Sequence, residues 1–253
     1  FEMATGTRLT TSYTRVGGLM RDIPENFDKA VTKVLDQVDG VVNDIETLLN
    51  RNRIWHNRTK DVGVISKDDA ISYGLSGPMA RASGIDWDIR VKEPYSSYND
   101  FDFDVIIALN GDVFDRYLVR MAEIRQSTNI CRQAIEQMPS GDINIDPDHK
   151  FTLPPKDEVY NSIEGLIHHF EITMPNRGME PPVGESYVAT EAPNGELGYY
   201  IVSDGGRTPY RVRTRPPSFI NYSIFPHIMK DQMLSDAVAI LGSMNIIAGE
   251  LDR

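Results

Sequence analysis

Cys131 is the only cysteine in this sequence. One thiolate forms neither an intrachain disulfide nor an iron–sulfur or nickel–iron site, which need several. His168 and His169 are the closest approach to a metal pair. Adjacent on a helix, they project about 100° apart and cannot chelate one ion together, so core or interface histidines are the better reading. Gly74-Leu-Ser-Gly-Pro and Arg81-Ala-Ser-Gly are glycine-rich, but no lysine follows the second glycine as a nucleotide triphosphate loop requires. Neither a G-x-G-x-x-G after a strand nor a G-x-S-x-G elbow occurs. Asn57-Arg58-Thr59 fits the N-glycosylation pattern, too short to count when nothing else suggests a secreted chain. Residue chemistry alone offers no self-contained catalytic centre.

The 253 residues suffice for one large or two small domains. Charged residues make up 25% and the hydrophobic set 40%, ordinary values for a globular protein. The formal net charge of −11 disfavours nucleic acid and anionic lipid as partners. The basic run Arg207, Arg211, Arg213 and Arg215 is small, and carboxylates or an acidic partner are its expected counterparts. No apolar run reaches the roughly 18 residues a membrane-spanning helix needs.

The elements that must position any site follow from periodicity. Pro24 to Asn52 carries Val31, Val34, Leu35, Val38, Val41, Val42, Ile45, Leu48 and Leu49 at helical spacing, with Pro24 expected in the first turn. Ser66 with Asp69 three residues on reads as a capping box, and that helix should end at Gly74. Gly74 to Tyr98 reads as a long ordered loop that should shelter Met79, Ile85, Trp87 and Ile89. Asp112 to Met138 is a second long helix with Asp112 as cap; its stripe of Phe114, Tyr117, Leu118, Met121, Ile124, Thr128, Cys131, Ile135 and Met138 predicts a buried, inert Cys131. Phe151 to Pro155 should be extended, with a third helix over Lys156–Phe170. The period then changes to two: Ser186–Ala192 and Glu196–Ser203 flank Pro193-Asn194-Gly195, a strong hairpin signal. A third strand is expected at Pro209–Thr214 and a final helix at Met229–Met244. The expected class is α+β, a mostly helical bundle with a small antiparallel three-stranded sheet.

Several blocks, in order, resemble one family. Gly6-Thr-Arg-Leu-Thr-Thr-Ser-Tyr-Thr-Arg-Val-Gly-Gly18 looks like its G-A-R-M-H-A-x-Y-x-R-x-G-G. Asn52-Arg-Ile-Trp-x-x-Arg-Thr59 and Asp61-Val-Gly-Val64 look like the next block. Gly74–Arg90 matches G-x-S-G-x-x-x-R-x-S-G-x-x-W-D-x-R. Asn110-Gly-Asp-x-x-Asp-Arg-Tyr-Leu-x-Arg120, Arg125-Gln-Ser127, Leu166-Ile-His-His-Phe170, the hairpin and the terminal Ile246–Arg253 continue it. The family is the quinone-site core subunit of respiratory complex I, homologous to the nickel–iron hydrogenase large subunit. With one cysteine, the chain looks like the quinone branch rather than a hydrogenase.

The resemblance implies a hydrogenase-large-subunit-like fold in which residues 1–253 are the carboxy-terminal part of one domain. Nothing matches the family's amino-terminal half, which supplies a quinone-binding histidine and tyrosine. That half is expected on a separate chain, through a gene split into two polypeptides or a processed fragment, and the start at Phe1 fits the expectation. The implied function is to help form the quinone-reduction chamber of a proton-translocating NADH:ubiquinone oxidoreductase. The chain would not be active alone. A 4Fe-4S cluster in the adjacent small iron–sulfur subunit would deliver electrons, this chain binding no cofactor or metal itself and contributing no catalytic group. Other complex I subunits and ubiquinone complete the expected partners. The implied location is the matrix face of the mitochondrial inner membrane, or the cytoplasmic face of a bacterial plasma membrane.

Thr10, Arg81 and Asn245 are the implied cavity or cluster-proximal residues. Thr10 stands where the family has a histidine that makes the cluster's potential pH-dependent; a hydroxyl cannot take up that proton, so a weakened dependence is expected. Asn194 replaces the lysine of A-P-K-G-E, Gln232 a histidine, and Asn245 a carboxylate. These losses motivate the rival expectation, a scaffold or assembly subunit that has lost direct chemistry.

Overall fold

The computed structural model describes residues 1–15, 17–145, 152–174 and 180–252. Val16, Phe151 and Arg253, each in a stretch quoted above, lie outside them. In chain order come α1 (Glu2–Thr5), β1 (Thr14–Arg15), β2 (Gly18–Leu19), α2 (Phe27–Leu49), α3 (Arg53–Thr59), α4 (Lys67–Ser72), α5 (Pro78–Ala82) and α6 (Ile89–Lys92). A 3₁₀ turn at Tyr98–Asp100 precedes α7 (Val113–Glu136), α8 (Lys156–Asn161) and α9 (Ile163–Thr173). Then follow β3 (Gly184–Ala192), β4 (Gly195–Ser203), β5 (Arg211–Arg215), α10 (Pro217–Tyr222), α11 (Phe225–Ile228), α12 (Asp236–Met244) and α13 (Ala248–Leu251). The larger sheet is antiparallel in the order β3-β4-β5, so the α+β expectation holds.

The chain divides into two compact units. The first comprises Phe1–Thr32, Met138–Ser186 and Ile201–Val212. In it β1 and β2 pair Thr14 with Leu19 and Arg15 with Gly18, and Gly18 also bridges to Asn144. A Cβ on Gly18 would run into the Ile143 carbonyl, so only glycine fits that crossing. The expected single helix over Lys156–Phe170 is two. Ser162, extended at φ −130°, ends α8 and caps α9 by accepting the Gly165 N–H at 3.0 Å. A serine's preference for capping has overridden helical periodicity there.

The second unit comprises Lys33–Gln137, Tyr187–Tyr200 and Arg213–Arg253. Its core gathers Ile65, Ala70, Leu75, Met79, Val113, Ile224, Ile240 and Met244, where α12 packs on α7 and α3, and α5 packs on α7. Both predicted caps form. Ser66 Oγ accepts from the Asp69 N–H at 3.1 Å and donates to the Asp69 carboxylate at 2.6 Å. Asp112 accepts from the Asp115 N–H at 2.7 Å. Other expectations fail locally. Helix α2 begins at Phe27, three residues beyond Pro24, and of its stripe Leu35 and Val42 are buried while Val34, Val41 and Leu48 are 54–69% exposed. The apolar stripe is wider than the surface covering it. The segment Gly74–Tyr98 contains two short helices, α5 and α6, and Trp87 is exposed. The final helix starts at Asp236 rather than Met229, because Asp231 takes a left-handed φ of 61° that interrupts the chain after α11.

The turn of the β3–β4 hairpin sits against the Gly74–Gly77 loop. A Cβ on Gly77 would come 2.5 Å from Gly195 Cα, and one on Gly195 would come 2.5 Å from Ser76 Oγ. These glycines let two backbones touch. Asn221, fully buried, closes the junction: its carboxamide accepts from Ser76 N–H at 3.3 Å and donates to the Asn194 carbonyl at 3.0 Å. Gly77→Ala, at φ 65° and ψ −148°, should therefore cost about 3 kcal/mol or more, read as a loss of unfolding free energy in denaturant titration.

Candidate functional site

Arg81 sits on α5 at 2% exposure, placed by Pro78 in the helix's first turn and by Gly77 before it. Its Nε donates to Glu123 Oε1 at 2.6 Å, and its Nη1 donates to Glu191 Oε1 at 2.8 Å and the Trp87 carbonyl at 3.1 Å. Asp88 Oδ2 lies 3.6 Å away, and the Asp88 carboxylate is held bidentately by Arg90, which donates from Nη2 to Oδ2 at 2.7 Å and from Nε to Oδ1 at 3.0 Å. One guanidinium thus ties α5 to α7 and to strand β3, across 42 and 110 residues of sequence.

The electrostatics follow from burial and pairing. Burial works against the Arg81 charge, but Glu123 and Glu191 outweigh it and hold its pKa above the ordinary value. Burial likewise opposes ionisation of Asp88, yet the Arg90 hydrogen bonds and the Arg81 charge keep its carboxyl below the usual range. Glu191 goes the other way: burial raises its pKa despite Arg81.

Beside this cluster lies a cavity of about 540 Å³. Arg81, Arg120, Glu123, Glu191 and Asn245 supply its polar wall, and Leu35, Val38, Ile124 and Pro193 much of its apolar one. Two of the three residues singled out from sequence, Arg81 and Asn245, therefore share one wall. Thr10 belongs to the first unit, where it is exposed in the segment preceding β1. Cys131, expected to be buried, is exposed and lines the cavity. Of the predicted stripe of α7, Phe114, Met121 and Thr128 are buried, together with Val113, Asp115, Arg116 and Val119 outside it, while Ile124 and Cys131 line the cavity.

Arg116 and Arg120 entered the sequence reading only as positions of a family block, with no role given to them. Their own i, i+4 spacing, three residues on from Val113, was the available signal. Arg116 is fully buried and donates to Ser243 Oγ, the Gly111 carbonyl and the Gly63 carbonyl at 2.9, 2.7 and 3.0 Å. Burial pushes its pKa down to about 9.

Asn194 and Asn245, read separately as lost titratable groups, meet face to face. Asn245 Nδ2 donates to Asn194 Oδ1 at 2.7 Å, and Asn194 Nδ2 donates to the Asn245 carbonyl at 3.0 Å. Asn245 caps α12 in the left-handed region, at φ 55° and ψ 47°, which asparagine tolerates. Where the resemblance leads one to expect a lysine and a carboxylate, a neutral amide pair stands. Gln232 is half-buried after α11 and is not among the residues lining this cavity. His168 Nε2 bonds the Thr152 carbonyl at 2.9 Å in the first unit.

Residues 1–253 match the family described as the respiratory-chain NADH dehydrogenase 49 Kd subunit. The chain belongs to this family. It is 50% identical over its whole length to an NADH-quinone oxidoreductase subunit of Geotalea uraniireducens, and 49% identical to the subunit of the same name from Geobacter sulfurreducens. It spans 64% of the length of each of these relatives. Against the C/D subunit of Bdellovibrio bacteriovorus the identity is 47%, over 45% of that protein. Among the described residues no helix is long and apolar enough to cross a membrane.

Substitutions at the amide pair and at Asp88 have calculable outcomes. Asn194→Lys alone places an ammonium at a position only 2% exposed, while adding Asn245→Asp restores a partner. A double-mutant cycle on unfolding free energy should give a favourable coupling of about 1–3 kcal/mol. The Asp88 contribution, its folded pKa being lowered, is present above the unfolded value of 3.8 and lost as pH falls through the folded one. Asp88→Asn should therefore flatten the acid limb of the stability–pH profile below about pH 4 while lowering stability at neutral pH.

Proposed function

We propose that this chain is a core subunit of an NADH:quinone oxidoreductase and that the cavity beside Arg81 and Asn245 is one wall of its quinone-reduction chamber. The observation that carries the reading is the coincidence of two facts. The full chain is about half identical to subunits named for quinone reduction, and the two cavity residues picked from family motifs line one hollow. A mixed wall of paired charges and apolar side chains suits a ring that is apolar in body and polar at its oxygens.

In this reading electrons come from a 4Fe-4S cluster on a neighbouring small iron–sulfur subunit, and this chain supplies walls, dielectric and hydrogen bonds. Its one thiol holds no cluster. Thr10 is assigned to the cluster-proximal surface, where a hydroxyl removes one proton-coupled group. A polypeptide bearing the family's amino-terminal half, the other complex I subunits and ubiquinone are the remaining partners. The assembly translocates protons, and this chain lies peripherally on the matrix side of the mitochondrial inner membrane or the cytoplasmic side of a bacterial one.

The scaffold-only reading is favoured by one observation, the neutral Asn194–Asn245 pair, of which Asn245 lines the cavity. The two separate on a cavity-filling variant. Ile124→Trp in the assembled complex should lower inhibitor-sensitive NADH:quinone activity at least about 10-fold, relative to NADH:ferricyanide reduction by the same preparation. Unchanged quinone reduction would leave only the scaffold.

A further inference from the structure

Helix α2 is held in one orientation by polar bonds to α7. Arg132 donates to Asp39 at 2.6 Å, Arg125 pairs with Glu46, and Tyr117 Oη donates to Asn50, just beyond α2, at 3.0 Å. The numbers rise on one helix as they fall on the other, so the two run antiparallel. Under this constraint Leu35 and Val42 are buried. Val34, Val41 and Leu48, seven residues apart, are left 54%, 56% and 69% exposed. Half-buried Val38 and Ile45 occupy the places between them.

Solitary apolar side chains on a surface need no explanation. This row differs in its order. Apolar residues recur at steps of four, three, four and three over about 21 Å of helix, and none of the five positions is charged or polar. A repeat averaging 3.5 residues is the seam along which a second helix packs at a shallow angle.

Other coverings fit less well. A lipid surface is drawn to Lys and Arg flanking an apolar row, whereas α2 from Lys33 to Leu49 carries Asp36, Asp39, Asp44 and Glu46 against one lysine. The row itself offers a few hundred Å² of apolar surface, short of the roughly 800 Å² per partner that holds two free chains together. A free second copy of this chain is thus poorly served by it. The occupant is secured by further contacts, as one segment of a larger body. This chain spans 64% of the length of each relative named above, so more than a third of the family's length remains to supply such a body.

We propose that the Val34–Val41–Leu48 face of α2 seats an amphipathic helix of about four turns from the part of the family's length that this chain does not span, whether joined to it or carried on another polypeptide. Val38 belongs both to the row and to the cavity lining, so the seated helix borders the cavity on its α2 side. The proposal rests on the family assignment and the exposed row, not on what the cavity holds.

The test places the photo-crosslinking residue benzoylphenylalanine in turn at Val34, Val41 and Leu48 in the assembled complex and maps the captured peptides by mass spectrometry. All three positions should capture one segment outside these 253 residues, homologous to the unspanned part of the relatives, with captured residues about seven apart in a single direction. Val41→Asp should lower recovery of the assembled complex about 10-fold or more, and Val41→Leu should leave it unchanged. Val41 is more than half exposed in this chain, so that loss reads on docking rather than on the fold of α2. Capture of lipid, of a second copy of this chain or of a subunit unrelated to the family would overturn the proposal. So would captured residues scattered over several segments, no capture at all, or wild-type assembly of Val41→Asp. Ile124→Trp keeps the two readings apart. If the crosslinks go elsewhere while that variant blocks quinone reduction, the chamber stands and the helix seat fails. If the crosslinks are as expected while Ile124→Trp has wild-type quinone kinetics, the seat stands and the chamber fails.

Discussion

A full positive charge at 2% exposure is tolerable only with carboxylates against it, and Arg81 has three within 3.6 Å. Each partner comes from a different part of the second unit: Asp88 just before α6, Glu123 from α7, Glu191 from the end of β3. Removing any of them would leave charge uncompensated in a place where water cannot repair it. The positions of the glycine-rich loop, the long helix and the hairpin are therefore not independent. The cavity wall is what results when these three segments converge on one guanidinium.

The same convergence explains the glycines and the asparagines. Gly77 and Gly195 allow the loop and the hairpin turn to approach at backbone distance, which brings β3 close enough for Glu191 to reach Arg81. Asn194 and Asn221 then satisfy the polar backbone that this approach buries. Hydrogen-bonded amides perform this without a net charge, and the amide pair with Asn245 completes the wall beside the charged cluster. Neutral and ionic parts of the site are thus separated, the amides at the turn and the ions at the α5–α7 crossing.

Much of the local structure was legible because it depends on neighbours in sequence. Ser66 and Asp112 cap helices through N–H groups three residues away, and the period-two runs about Asn194 specify the hairpin. The breaks at Ser162 and Asp231 were not legible, since a single residue's capping or left-handed preference competed with an unbroken apolar pattern. The site was legible in part. Arg81 and Asn245 were found through family motifs, whereas no spacing rule links Arg81 to Glu191 across 110 residues. On α7 the apolar stripe was legible in part, since Phe114, Met121 and Thr128 are buried, whereas Arg116, held by backbone carbonyls and Ser243, is buried beside them and Cys131 is exposed.

A light-activated azido-quinone, crosslinked in the assembled complex and mapped by mass spectrometry, would test the central claim most directly. The account predicts labelling on α7 between Ile124 and Cys131 or at Pro193, suppressed by excess unlabelled quinone. Labelling confined to other surfaces, with those positions unmodified at saturating probe, would contradict it.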